Sequence, residues 1–168
     1  GVAFVYIGRV RNHMADFLDA EWLPARPQPT PAIMLGMAHT LFTDGRHNRE
    51  FLDRHCVGFA RFLPYLLGES DGTPKTADWA AAISGVPAET IRALVRRMAS
   101  TRSMLTVSWS LQRSRFGEQT HWAAMTLAAM LGQIGLPGGG IGFGYACENN
   151  VGQPGEATSR LRIAEGTN

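Results

Sequence analysis

Residues 109–113, Trp-Ser-Leu-Gln-Arg, place a flat apolar ring, a hydroxyl, an amide and a guanidinium within five consecutive positions. A guanidinium matches a phosphate through two parallel hydrogen bonds, an amide both donates to and accepts from a heterocycle edge, and an indole supplies an apolar wall. Trp109, Ser110, Gln112 and Arg113 are therefore candidates for a site that holds a phosphorylated, heterocyclic cofactor. The competing reading is a strand-end turn with an aromatic core plug and a surface arginine. Further on, Gly138, Gly139 and Gly140 form an uninterrupted run. Glycines let backbone N–H groups come close to a pyrophosphate where a Cβ would intrude, but after Gly135 and Pro137 the same run also reads as a helix stop and a turn.

The elements around these residues decide where they can act. Met104–Val107 is an apolar run of strand type, and its successor segment would lie beyond the strand's C-terminal edge, where open α/β sheets bind ligands. From Gln119 to Ile134 the chain is helical and apolar on almost all sides, Trp122 and Met125 included, which predicts burial. Beyond Gly135 the glycine-rich text predicts irregular structure. Upstream, residues 2–7 (VAFVYI) read as a buried strand whose C-terminal edge is Gly8–His13, and Ala15–Trp22 as a short helix before Pro24. Thr30 and Pro31 form a helix start, with Gly45 as its stop. A helix about Arg49–His55 precedes the apolar stretch Val57–Leu67, and GESDGTP is a loop. Thr76–Ser84 and Pro87–Ala99 form a helical pair split by Gly85, the second with Ile91, Leu94, Val95 and Met98 on one face. This is an α/β layout with a short parallel sheet and flanking helices.

The chain closely resembles the bacterial molybdopterin oxidoreductases of the dimethyl sulfoxide reductase family, in the branch of the biotin sulfoxide and trimethylamine N-oxide reductases. The matching blocks are WSLQR at 109–113, GEQ at 117–119 and LAAMLGQIGLPGGG at 127–140. Others are EWLPARP at 21–27, MLGMAHTL at 34–41, FLPYLLGESDG at 62–72 and GVPAETIRALVRRMA at 85–99. Separate blocks in one order are far more specific than a single glycine motif. The resemblance implies an α/β domain like a dinucleotide-binding fold over 1–145, with an irregular extension at 146–168, as a fragment of a larger enzyme. It implies molybdopterin guanine dinucleotide with molybdenum as the cofactor, an S-oxide or N-oxide as the substrate, and the remaining domains of the same enzyme as partners. Trp109 would face the metal and substrate, Ser110, Gln112 and Arg113 would run along the cofactor, and Gly138–Gly140 would approach the pterin or pyrophosphate. The family's serine ligand to molybdenum lies upstream of the matching region, so the fragment alone is expected to be silent.

Some positions depart from the family pattern. In GRVRNHM at 8–14 the chain keeps Arg11, a nucleotide contact by resemblance, where the family reads Ser-Pro-Leu-Arg-Asp-Asp-Thr. Thr30 stands where the family places an aspartate on the guanine edge. A hydroxyl carries no charge and cannot accept two parallel N–H bonds as a carboxylate does, so guanine would be held less firmly. Ala146 and Cys147 follow Tyr145 where the family has a histidine and an aromatic residue.

Composition removes several other classes. The 168 residues are 45% hydrophobic, enough for one core, and the net charge of +2 is spread without a basic stripe, so a nucleic-acid partner is not indicated. No apolar run approaches the roughly 18 residues of a membrane span. Cys56 and Cys147 form no C-x-x-C, the spacings of His39, His47, His55 and His121 fit no zinc pattern, and no metal ligand is assigned. No G-x-S-x-G elbow supports a serine hydrolase, and GRVRNH lacks the G-x-G-x-x-G of a nicotinamide site. The start of the chain has no signal-like segment, both ends look cut, and family members occupy either periplasm or cytoplasm. The electron donor is not readable. Two alternatives remain at this level: a free-standing α/β nucleotide-binding module, and a degenerate structural domain without catalysis.

Overall fold

The computed structural model describes residues 1–11, 16–27 and 30–143. Asn12, His13, Met14, Gln28, Pro29, Tyr145, Ala146, Cys147 and the extension at 146–168 lie outside the described residues.

Two short strands, β1 (Val5–Gly8) and β2 (Glu21–Pro24), pair in parallel from Val5↔Glu21 to Gly8↔Pro24. A second parallel pair joins β3 (Met104–Val107) to β4 (Gly140–Phe143), from Met104↔Gly140 to Val107↔Phe143. Among the described residues six α-helices accompany them: α1 (Thr30–Thr43), α2 (Arg49–His55), α3 (Phe59–Leu66), α4 (Ala77–Ser84), α5 (Ala88–Ser100) and α6 (Glu118–Leu131). The α/β class is as expected, but among the described residues the parallel sheet is two separate pairs.

Three expectations need correction. The segment expected to be a helix over Ala15–Trp22 contains only a 3-10 turn, Asp16–Leu18, and then enters β2. So short a helix before Pro24 cannot recover its nucleation cost, whereas as a strand Trp22 gains β1 as a partner and its Nε1 donates to the Gly8 carbonyl at 2.9 Å. The tail expected to be irregular contains β4, because pairing with β3 overrides the weak strand preference of glycine. The strand over Met104–Val107, read as buried, has Val107 buried but Met104 half exposed and Thr106 exposed. A two-stranded pair lacks the neighbours that would cover both faces.

Helix α1 is the centre of the core. Ile33, Met37 and Leu41 are buried along it, and it packs against α4, α5 and α6. The approach of α4 depends on Gly36, where a Cβ would stand 2.7 Å from that of Ala80. Thr76 caps α4 by accepting from the Trp79 amide at 3.1 Å, and Asn48 caps α2 by accepting from the Phe51 amide at 2.9 Å. Arg96 of α5 holds Asp44, just past α1, through two hydrogen bonds of 2.6 and 3.2 Å. That contact keeps the Asp44 carboxyl below its ordinary range.

Polar contacts at the helix ends anchor the starts of β2 and β3. The Gln133 amide, just past α6, donates to the carbonyls of Met98 and Thr101 at 3.3 and 2.9 Å and accepts from the Ser103 amide at 2.7 Å. The ends of α5 and α6 therefore meet where β3 begins. Arg97, near the end of α5, also pairs with Glu21 at the start of β2, at 2.8 Å. At the other end of β2, the Arg26 amide and guanidinium donate to Ser84 and Ala82 at the close of α4. Both β2 and β3 therefore start at the C-terminal end of α5, and β2 finishes at the close of α4.

At the end of α6, Gly132 has φ +67°, and a Cβ there would stand 2.4 Å from Asn48 atoms. Gly135, with φ +86°, has open space around it. Gly132→Ala is expected to cost about 2–4 kcal/mol, left-handed strain plus overpacking, against about 1–2 kcal/mol of strain alone for Gly135→Ala. Chemical denaturation measures both; equal losses would show that the approach of Asn48 imposes no packing constraint.

Candidate functional site

The segment after β3 is a 3-10 helix, Trp109–Arg113, that begins one residue beyond the strand's C-terminal edge. Ser108 caps it: its hydroxyl lies 2.9 Å from that of Ser110 and accepts from the Ser110 amide at 3.4 Å. Leu111 is the anchor, half-buried against the core, while Ser110, Gln112 and Arg113 are exposed. The Trp109 ring is 45% exposed. It is thus not a core plug within this chain, and four functional groups of different chemistry point away from the packed interior. Gly117 closes the turn into α6, since a Cβ there would lie 2.4 Å from the Gln112 carbonyl oxygen.

Arg11 and Thr30 lie beyond the C-terminal edge of the other strand pair. Arg11 is exposed past the end of β1, and Thr30 is the half-buried first residue of α1. Pro31 and Ala32, which follow Thr30 in α1, line one groove with Arg115 and Phe116, which follow Trp109–Arg113, so Thr30 and the 109–113 segment share one end of the molecule. No hydrogen bond among the described residues ties Arg11 or Thr30 to the 109–113 segment. The glycine run is at the other end. Gly140 pairs with Met104, the first residue of β3, so Gly138–Gly140 lie at the N-terminal edge. Positive φ at Gly138 and Gly140 serves the turn into β4, and the amides of Gly139 and Gly140 donate to Leu136 at 2.9 Å and Ser103 at 3.1 Å. The structure therefore does not bring the glycines together with the other candidates.

A feature that the sequence did not single out lies beside this end. A groove of about 570 Å³ runs between α1 and α6, with Phe62, Tyr65 and Trp79 along one side and Arg115, Phe116 and Trp122 along the other. The Tyr65 and Trp79 walls are set by Lys75, a buried cation whose Nζ is 4.4 Å from the Tyr65 ring centre and 5.7 Å from that of Trp79. Lys75 donates to Asp71 at 2.7 Å and to the Thr73 carbonyl. The hydrogen bond from Lys75, and then the Thr73 amide, hold the Asp71 carboxyl below its ordinary range. Helix α6 itself departs from expectation: Trp122 is 56% and Met125 45% exposed on a helix read as buried all round. Its apolar surplus was the available signal for an outer contact. No group of three His, Cys, Asp or Glu residues suited to a metal occurs among the described residues.

Comparison with known proteins places these features in context. Residues 2–163 match the family model described as molybdopterin oxidoreductase. The chain is 52% identical over 149 residues to a dimethyl sulfoxide/trimethylamine N-oxide reductase of Cereibacter sphaeroides, covering 89% of this chain and 18% of that protein. It is 50% identical over 154 residues to a biotin sulfoxide reductase of the same organism, covering 92% of this chain and 21% of the relative. A trimethylamine-N-oxide reductase of Haemophilus influenzae is 50% identical over 149 residues, 89% of this chain and 18% of its own length. The chain thus spans about a fifth of the length of these curated relatives. Acetylene hydratase from Pelobacter acetylenicus has a similar fold, with TM-score 0.65 at 24% identity over 79% of this chain and 18% of that one.

Trp109→Ala should cost well under the roughly 3–5 kcal/mol of a buried aromatic truncation, because the ring is nearly half in solvent already. Urea denaturation of the 168-residue chain checks this, and a loss of the full buried size would return Trp109 to the core.

Proposed function

The chain belongs to the molybdopterin oxidoreductase family, and from that membership we propose that it is the cofactor-holding part of a molybdenum enzyme that reduces S-oxides or N-oxides by oxygen-atom transfer. The observation that carries this reading is the solvent-facing 3-10 helix Trp109–Arg113 directly beyond the C-terminal edge of β3. Its donors fit a molybdopterin guanine dinucleotide. Ser110, Gln112 and Arg113 are exposed, and Arg113 has no ion pair among the described residues, so its guanidinium is available to a phosphate. Gly139 and Gly140 fit poorly, because their amides are already engaged within the protein.

When bound, the cofactor supplies the two-electron chemistry that removes oxygen from the substrate. What this chain contributes is binding, orientation and exclusion of water. Arg113 would hold pyrophosphate oxygens through paired N–H donors, and Arg11 would add a positive charge beyond the C-terminal edge of β1. Gln112 and Ser110 meet ring and ribose edges with donors and acceptors. Trp109 walls the substrate side and displaces water from it. Thr30 receives the guanine edge with a hydroxyl alone. The rest of the same polypeptide would complete the pocket.

Two substitutions test the assignment in the molybdenum-bearing enzyme. Trp109→Phe should leave molybdenum content and Tm nearly unchanged while lowering kcat/KM for the oxide; a large fall in Tm with turnover per molybdenum preserved would make the residue structural. Thr30→Asp should strengthen cofactor retention by up to about 1.5–3 kcal/mol, the range for a charge-assisted hydrogen bond. Cofactor release under mild denaturant measures it, and unchanged or faster release would place guanine elsewhere.

A further inference from the structure

Helix α6 and the turn before it carry more exposed apolar surface than a free-standing domain needs. Phe116, Trp122 and Met125 are 62%, 56% and 45% exposed, and Phe116 and Trp122 border the groove between α1 and α6. Phe116 also has φ +58°, a left-handed conformation that is unusual for a bulky residue. Scattered single apolar residues on a surface need no explanation, but exposed Phe116 and Trp122 lining one apolar groove, with exposed Met125 on the same helix as Trp122, mark an interaction surface. Arg115 is the one charged residue that lines the groove among the described residues, and its guanidinium lies 4.9 Å from the Phe116 ring centre. An occupant that is apolar with one acidic group would therefore match it.

We propose that this face seats another segment of the same, longer polypeptide, with apolar side chains against Phe116, Trp122 and Met125 and a carboxylate against Arg115. The inference rests on the reading that the chain is part of a larger oxidoreductase. The relatives favour a segment of the same polypeptide over a separate partner, since about four-fifths of their length lies outside the region matched here. Position favours it too. The groove opens at the N-terminal ends of α1 and α6, at the end of the molecule that carries Trp109–Arg113, so a segment seated there would help to enclose that site.

Hydroxyl-radical footprinting read by mass spectrometry tests this on two samples: the 168-residue chain, and the polypeptide purified from its native reading frame and assayed for molybdenum. Trp122 and Met125 should oxidise severalfold more slowly in the native polypeptide, towards the rate of Met130, which is fully buried already in the 168-residue chain. Arg115→Glu should raise the rate at Met125 in the native polypeptide, by setting a like charge against the expected acid; no change would overturn the charge pairing. A molybdenum-bearing polypeptide in which Trp122 and Met125 oxidise as fast as in the 168-residue chain overturns the docking face and leaves the proposed function standing. A native product no longer than this chain and free of molybdenum overturns both. Protection already present in the 168-residue chain, with a dimer's mass in light scattering, would make a second copy the occupant and overturn the proposal.

Discussion

The packing of α1 is the constraint on which the remaining structure depends. Neither strand pair can bury itself: each has two strands of four residues and, among the described residues, no further strand on either side. Stability has to come from the helices, and α1 contacts α4, α5 and α6 together. Side chains such as Ile33 and Leu41, buried to 1%, each contribute about 1.5–3 kcal/mol when removed from water. The arrangement closes only because Gly36 lets Ala80 approach, so α4 lies flush with α1 and its end can take Arg26 as a partner. That contact in turn fixes where β2 finishes.

From this follows the geometry of the candidate site. Arg97 and Gln133 tie the starts of β2 and β3 to one end of α5 and Arg26 ties the finish of β2 to α4, while the starts of α1 and α6 meet at one groove. Ligand sites of open α/β sheets lie beyond the carboxyl ends of strands. Thr30 and Trp109–Arg113 lie beside that groove, Arg11 follows the C-terminal edge of β1, and Arg115, the one cation lining the groove among the described residues, lies only two residues beyond Arg113. Local conformation reinforces the placement: Ser108 caps the 3-10 helix, Leu111 pins it to the core, and Gly117 lets the chain fold back beneath Gln112.

Much of this was legible in the sequence because the signals were local. Thr30 and Pro31 announced the start of α1 and Gly45 its stop, and the 3.6-residue recurrence of Ile91, Leu94, Val95 and Met98 gave α5. Positions that depend on distant partners were not legible. Glu21–Pro24 became a strand because β1 lay alongside, and Gly140–Phe143 because β3 did; neither segment announces a strand alone. Pairing register also decided the glycine run, since only the match of Gly140 to Met104 reveals that it sits at the opposite edge from Trp109. The exposed side of α6 was misread for a related reason. Periodicity reports an apolar helix without saying whether this chain or another covers it. The family, by contrast, was readable directly, because separate blocks such as WSLQR and LPGGG in one order are read from the sequence without knowing their surroundings.

The central claim is that the segment beyond the C-terminal edge of β3 and the start of α1, and not the glycine run, hold the cofactor. Amide hydrogen exchange on the molybdenum-bearing enzyme, before and after cofactor extraction, tests it most directly. Removal of the cofactor should speed exchange at residues 108–113 and at the start of α1, while the amides of Gly139 and Gly140, bonded to Leu136 and Ser103, keep their protection. Faster exchange confined to 138–140, with 108–113 unaffected, would contradict the account.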